Sequence, residues 1–133
     1  LWFDSGLVPE KVILPSLQFV GGHFRFDRGY GAVELQLPRL QGTGPFRVCC
    51  TQDLLNFAAP ALQYADGGLN VMSNQVLEAF NFFELREVNG NLNVVDNPAL
   101  STASVYALRL QLDVLGGDFV NCGNMGASLT GDC

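Results

Sequence analysis

Histidine and lysine are nearly missing from this chain of 133 residues: His23 and Lys11 are the only ones, and charged residues make up only 15%. A lone imidazole, with no second His or Cys at ligand spacing, does not build a zinc site. The Gly-punctuated aspartate loop of a calcium site is missing, and no Ser stands in the strand-to-helix elbow of an activated nucleophile. No metal, cofactor or catalytic residue is therefore expected. No window reaches the roughly 18 apolar residues of a membrane span, so this segment is not expected to insert into a membrane. Thirteen acidic residues against seven basic ones give a net charge of −6, which matches a phosphate backbone poorly and argues against nucleic-acid binding. Only four threonines occur, at 43, 51, 102 and 130, and they do not align into the flat ladder of an ice-binding face. No basic stretch precedes the first apolar residues, so Leu1 is expected at a mature or excised terminus.

Apolar residues account for 48% of the chain, enough for one packed domain and too many for a disordered acidic tail. Four cysteines, Cys49, Cys50, Cys122 and Cys133, allow three complete pairings. An even count beside so little lysine points to an oxidising compartment. Cys122 and Cys133 enclose a Gly-, Ser-, Thr- and Asn-rich segment that has no core of its own, and a bridge there would contribute about 3 kcal/mol. Cys49 and Cys50 are adjacent. In a strand their side chains would point to opposite faces, so two readings stand: free packed thiols, or a vicinal disulfide that needs a local distortion of the backbone.

The dominant signal is internal repetition. Leu17, Leu40, Leu62, Leu85 and Leu108 follow one another at steps of 23, 22, 23 and 23 residues. Two positions earlier stand Pro15, Pro38, Pro60, Phe83 and Tyr106, and downstream Leu54, Leu77 and Leu100 keep the same step. After each leucine comes an apolar–polar–apolar triplet: Phe24-Arg25-Phe26, Phe46-Arg47-Val48, Leu69-Asn70-Val71 and Leu92-Asn93-Val94. Gly22, Gly44, Gly67 or Gly68, and Gly90 lead into them. Units that cannot bury their apolar side alone must stack and share one core. The triplets predict parallel strands with Phe24, Phe46, Leu69 and Leu92 inward, and Arg25, Arg47, Asn70 and Asn93 outward.

Asn74 and Asn97 fall where the chain turns inward after a strand, with Thr51 and Gly29 at the corresponding places in earlier coils. An inward Asn there can satisfy backbone groups of neighbouring coils, so these positions predict a structural asparagine ladder. The alternation of Leu108, Leu110, Leu112 and Val114 predicts a second strand in the last coil. The expected organisation is a single mainly-β solenoid, a right-handed parallel β-helix with leucine-rich-repeat-like units and about five coils of 22–23 residues. Residues 1–13 form an N-terminal cap or degenerate coil, 14–121 the coils, and 122–133 a C-terminal cap.

The unit L-x-x-(V/A)-x-G-x-(L/F)-x-(V/F)-x-x-N-x-x-L, clearest from Leu85 to Val94 with Asn97 and Leu100, resembles the receptor L domain family. Those domains are leucine-rich-repeat-like β-helices of receptor ectodomains and fungal cell-wall proteins. The resemblance covers Leu14 to about Leu112 and implies a secreted or cell-surface module with a binding role and no catalysis. It also implies a terminal cysteine cap. The chain departs from the family in lacking a flanking cysteine-rich module and any N-x-S/T sequon.

Arg25, Arg47, Asn70 and Asn93 are the candidate binding row. Two guanidiniums one strand apart repel unless an anion compensates them; either an acidic glycan or carboxylate partner does so, or Asp27, Asp53 and Glu34 do it locally. A glycosidase-like site needs paired acids on one face at about 5–9 Å. Asp96 shares its column with Ser73 and Cys50, while Asp66 and Glu87 both fall in the turn before a strand. The favoured function is recognition or adhesion toward a protein or glycan ligand. The alternative is a structural subunit of a filament, sheath or wall, self-assembling through the solenoid ends. A β-helix carbohydrate-active enzyme is the third and weakest reading.

Overall fold

A computed structural model describes residues 1–4 and 6–126. Each of the first four coils runs through three short strands separated by corners. The first coil holds β1 (Trp2–Asp4), β2 (Lys11–Ile13) and β3 (Phe19–Val20); the second holds β4 (Phe24–Asp27), β5 (Glu34–Gln36) and β6 (Gly42–Thr43). The third holds β7 (Phe46–Cys49), β8 (Asn56–Ala58) and β9 (Tyr64–Ala65), and the fourth β10 (Leu69–Met72), β11 (Ala79–Asn81) and β12 (Glu87–Val88). The fifth holds β13 (Leu92–Val95), helix α1 (Thr102–Gln111) and β14 (Val114–Leu115), after which β15 (Phe119–Cys122) opens a sixth turn.

Stacking joins like strands into three parallel sheets: β1-β4-β7-β10-β13-β15, then β2-β5-β8-β11, then β3-β6-β9-β12-β14. The chain is thus a parallel β-solenoid of five turns. Residues 1–13 supply β1 and β2, which pair in register with β4 and β5. In the first sheet Leu69 stands between Phe46 and Leu92, and Arg47 between Arg25 and Asn70. Phe24, Phe46, Leu69 and Leu92 are fully buried, as period-two alternation requires. Leu35 and Phe57 enter the same core from the second sheet and Ala65 and Val88 from the third. Phe24 and Phe46 stack with ring centroids 4.9 Å apart, so like residues in adjacent coils lie on one another.

The leucine column has a backbone cause. The amide of Leu40 donates to Leu37 O, that of Leu62 to Ala59 O and that of Leu85 to Phe82 O. Each closes a four-residue turn whose second position is Pro38, Pro60 or Phe83, and proline presets the φ that position needs. In the fifth coil the same bond runs from Leu112 N to Arg109 O, and β14 pairs Glu87 with Val114. The expected column is therefore corrected: Leu112, not Leu108, follows Leu85, and Leu110 rather than Tyr106 takes the proline place.

The expected second strand from Leu108 to Val114 is also corrected. Residues 102–111 are helical, with β14 beginning only at Val114. Ser101 caps the helix through a hydrogen bond from Ala103 N to its Oγ (3.2 Å). Val105, Leu108 and Leu112 face the core at i, i+3 and i+7, whereas Leu110 is 84% exposed. A helix advances about 1.5 Å per residue and a strand about 3.3 Å, so a helix needs more residues to cross one side of the coil. That accounts for the 27-residue step from Leu92 to its partner Phe119.

The corners after β4, β7, β10, β13 and β15 are left-handed. Arg28, Cys50, Ser73 and Asp96 have φ of 53°, 65°, 53° and 55°, and Gly123 takes the place in the last turn with φ 66°. Inside that corner runs the expected asparagine ladder. Thr51 N and Oγ1 donate to Asn74 Oδ1 (3.3 and 2.9 Å), and Asn74 Nδ2 donates to Val48 O and Asn97 Oδ1 (3.2 and 2.9 Å). Asn97 Nδ2 donates to Val71 O (3.0 Å) and to Asn124 Oδ1 (3.1 Å). Asn124 is a rung missed in the sequence, because the helix displaces it to 27 residues beyond Asn97.

Candidate functional site

Alternation in the first sheet that sends Phe24 and Phe46 inward sends two rows of side chains outward. One row reads Trp2, Arg25, Arg47, Asn70, Asn93 and Val120; beside it runs Asp4, Asp27, Cys49, Met72, Val95 and Cys122. All four residues of the predicted binding row are therefore neighbours on one face, and each is half-buried.

Asp27 holds the two arginines together. Arg25 Nη2 donates to its Oδ2 at 2.7 Å, and Arg47 Nε donates to its Oδ1 at 3.0 Å. The Asp27 side chain is 7% exposed, while those of Arg25 and Arg47 retain 34% and 38%. One nearly buried carboxylate thus faces two partly wet cations, so this three-residue cluster carries one positive charge in excess, while the exposed Asp4 stands next to Asp27 in the neighbouring coil. The local compensation expected from Asp53 and Glu34 is corrected: Asp53 accepts from Gly31 N (3.0 Å), and Glu34 pairs with Lys11 and Gln36.

Trp2 extends the row. The Arg25 guanidinium carbon lies 4.9 Å from its ring centroid, within cation–π range, and the indole remains 61% exposed. Sequence reasoning missed this residue, although Trp2 stands one repeat step of 23 residues before Arg25. At the other end Asn93 Nδ2 donates to Asn70 Oδ1 (2.8 Å). Between them lies a shallow groove of about 320 Å³ lined by His23, Arg25, Pro45, Arg47, Gly67 and Asn70.

The remaining candidates separate. Cys49 and Cys50 form a vicinal disulfide, so the free-thiol reading is dropped. Cys50 needs no distortion of its own for it, because Arg28, Ser73 and Asp96 take the same left-handed φ without a bridge. The proposed Cys122–Cys133 pairing falls on residue 133, outside the described residues. Asp96 lies in line with Ser73 and Cys50, as read. Glu87 sits in β12 opposite Tyr64, so it is in a strand and not level with Asp66, which corrects their placement together in a turn. Among the described residues no group of three or more His, Cys, Asp or Glu side chains is placed to hold a metal ion. No helix among them is long and apolar enough to cross a membrane.

The face carries unspent donors, one open aromatic ring and a locally cationic Arg25–Asp27–Arg47 cluster on a sheet fixed coil by coil. Comparison with family models, curated proteins and solved structures finds no match to the chain, so its role is read from this geometry.

Proposed function

We propose that the chain is an extracellular, non-enzymatic recognition or adhesion module that presents the outward face of its first sheet to a protein or glycan. The observation that carries this reading is the row Trp2–Arg25–Arg47–Asn70–Asn93. It places binding-type side chains in line on a rigid ladder, and rigid presentation lowers the ordering cost of binding. The resemblance of the repeat to receptor L domains supports the same role. The Cys49–Cys50 bridge supports an oxidising location. Asp27, the carboxylate between the two arginines, is committed to both guanidiniums, which favours binding over acid–base chemistry there.

The test is binding to arrayed glycans and cell-surface proteins by the wild type and by the triple variant R25Q/D27N/R47Q. All three residues change together because removing the guanidiniums alone would strand a buried carboxylate. Loss of binding in a folded triple variant is expected; unchanged binding rules this face out.

One observation favours a second reading, a structural subunit that assembles through its first coil. Leu7 is 93%, Trp2 61%, Phe19 56% and Ile13 47% exposed there, beside an apolar hollow lined by Leu1, Leu14, Pro15 and Leu17. Strands β1, β2 and β3 are sheet edges, and open edges template association. Sedimentation equilibrium decides: growth of mass with concentration, abolished by L7K/F19K, supports assembly, and a monomer throughout removes it.

A further inference from the structure

The Arg25–Asp27–Arg47 cluster has more donors than acceptors. Arg47 spends only Nε on Asp27 and Arg25 only Nη2, so among the described residues both Nη atoms of Arg47 and Nη1 of Arg25 have no acceptor. Arg25 Nε is buried with no hydrogen-bond partner among the described residues. Asn70 uses its Oδ1 to accept from Asn93, which leaves its Nδ2 as a further unengaged donor. These donors border the groove that also holds His23 and Gly67. Unspent guanidinium donors beside an excess positive charge fit a carboxylate, which takes paired N–H groups in one plane.

Resting on the recognition reading, we propose that the ligand is an acidic saccharide. One carboxylate sits in the groove against Arg47 and Asn70, and the sugar chain runs along the row toward Trp2. Three features choose a saccharide over other anions. The donors and the exposed indole form a line crossing several coils, longer than a free phosphate or acetate. Successive positions are one strand spacing apart, roughly 4.8 Å, close to the length of a pyranose ring, so a uronate polymer meets one coil per sugar. An acidic peptide would gain most by pairing with open backbone at a sheet edge, whereas β4, β7, β10 and β13 are paired on both sides. Trp2 offers a flat apolar surface to a ring face, and Asn93 Oδ1 at the far end can accept a sugar hydroxyl.

Titration calorimetry of the full chain with tetragalacturonate, its fully methyl-esterified form and hexaglutamate tests this. The acid form is expected to bind, and esterification, which removes the charge and keeps the ring, to weaken binding about tenfold or more, the loss typical of a hydrogen bond to a charged group. Asn70→Asp leaves the bonds of Asp27 in place and sets a carboxylate against the free Nη atoms of Arg47, where it competes with the ligand. It should weaken the acid form by a similar factor, about tenfold, with little effect on the ester. Trp2→Ala should weaken both forms. Ester binding as tight as acid binding overturns the inference. So does hexaglutamate binding as tightly as the saccharide with no effect of Trp2→Ala, and so does no binding to either saccharide. Those failures leave the recognition reading standing if a protein ligand is found that the triple variant R25Q/D27N/R47Q no longer binds; if that variant also binds unchanged, both fall.

Discussion

Asn74 offers the sharpest test of how the coils are held together. Its side chain is fully buried and serves three groups in the coil before it: it accepts from Thr51 N and Thr51 Oγ1 and donates to Val48 O. Asn74→Ala would leave one backbone N–H, one backbone C=O and one hydroxyl without that partner in a dry interior. An orphaned buried polar group costs about 1–3 kcal/mol. The hydroxyl can rotate, so the two backbone groups and the small cavity dominate, and the loss is about 3–6 kcal/mol. Against a domain stability of about 5–15 kcal/mol, that loss is decisive. Asn70→Ala is the control: Asn70 bonds to Asn93 in the same way but on the half-exposed outer face, where water replaces the partner, and should cost about 1 kcal/mol or less. Urea unfolding followed by circular dichroism measures both, with unchanged m-values confirming a common two-state transition. Equal costs for the two variants would refute the ladder as a stabilising element.

Two further outcomes follow from the corrected register and from the corners. Leu112→Ala should cost about 2–5 kcal/mol as a core truncation and Leu110→Ala less than about 0.5 kcal/mol as a surface change; the reverse order, measured by thermal unfolding, would undo the placement of Leu112 after Leu85. The double variant C49S/C50S should lose only about 1 kcal/mol or less, because a bridge between neighbours closes almost no loop and the left-handed corner exists without it at Arg28, Ser73 and Asp96. A collapse of the fold in that variant, seen in far-UV circular dichroism, would show that the bridge sets the corner.

Much of the architecture was legible before any coordinates, and the misses have specific causes. The columns through Leu40, Leu62 and Leu85 and the triplets at Phe24, Phe46, Leu69 and Leu92 could be counted along the chain because every coil meets only its neighbours at one constant step. Counting failed at Leu108, where a helix replaced a strand. Alternating leucines over a short stretch satisfy both periods, and only the Ser101 cap with Val105, Leu108 and Leu112 marks the helix. The same displacement hid Asn124. The left-handed corner was not legible, since Arg28, Cys50, Ser73 and Asp96 share no side-chain chemistry and none is glycine. Trp2 was within reach, one step before Arg25, but lies in a coil too divergent to align by its leucines.

The period of the stack, the inward and outward sides of its strands and the buried asparagine rungs were set by the sequence alone, because nearest-neighbour stacking writes its geometry into residue spacing. Which charges meet was decided only by the folded chain. Asp27, Asp53 and Glu34 are equivalent carboxylates on paper. The fold puts Asp27 between two guanidiniums, Glu34 in the second sheet beside Lys11 and Asp53 in the loop after β7, since an ion pair depends on distance through space and not on separation along the chain.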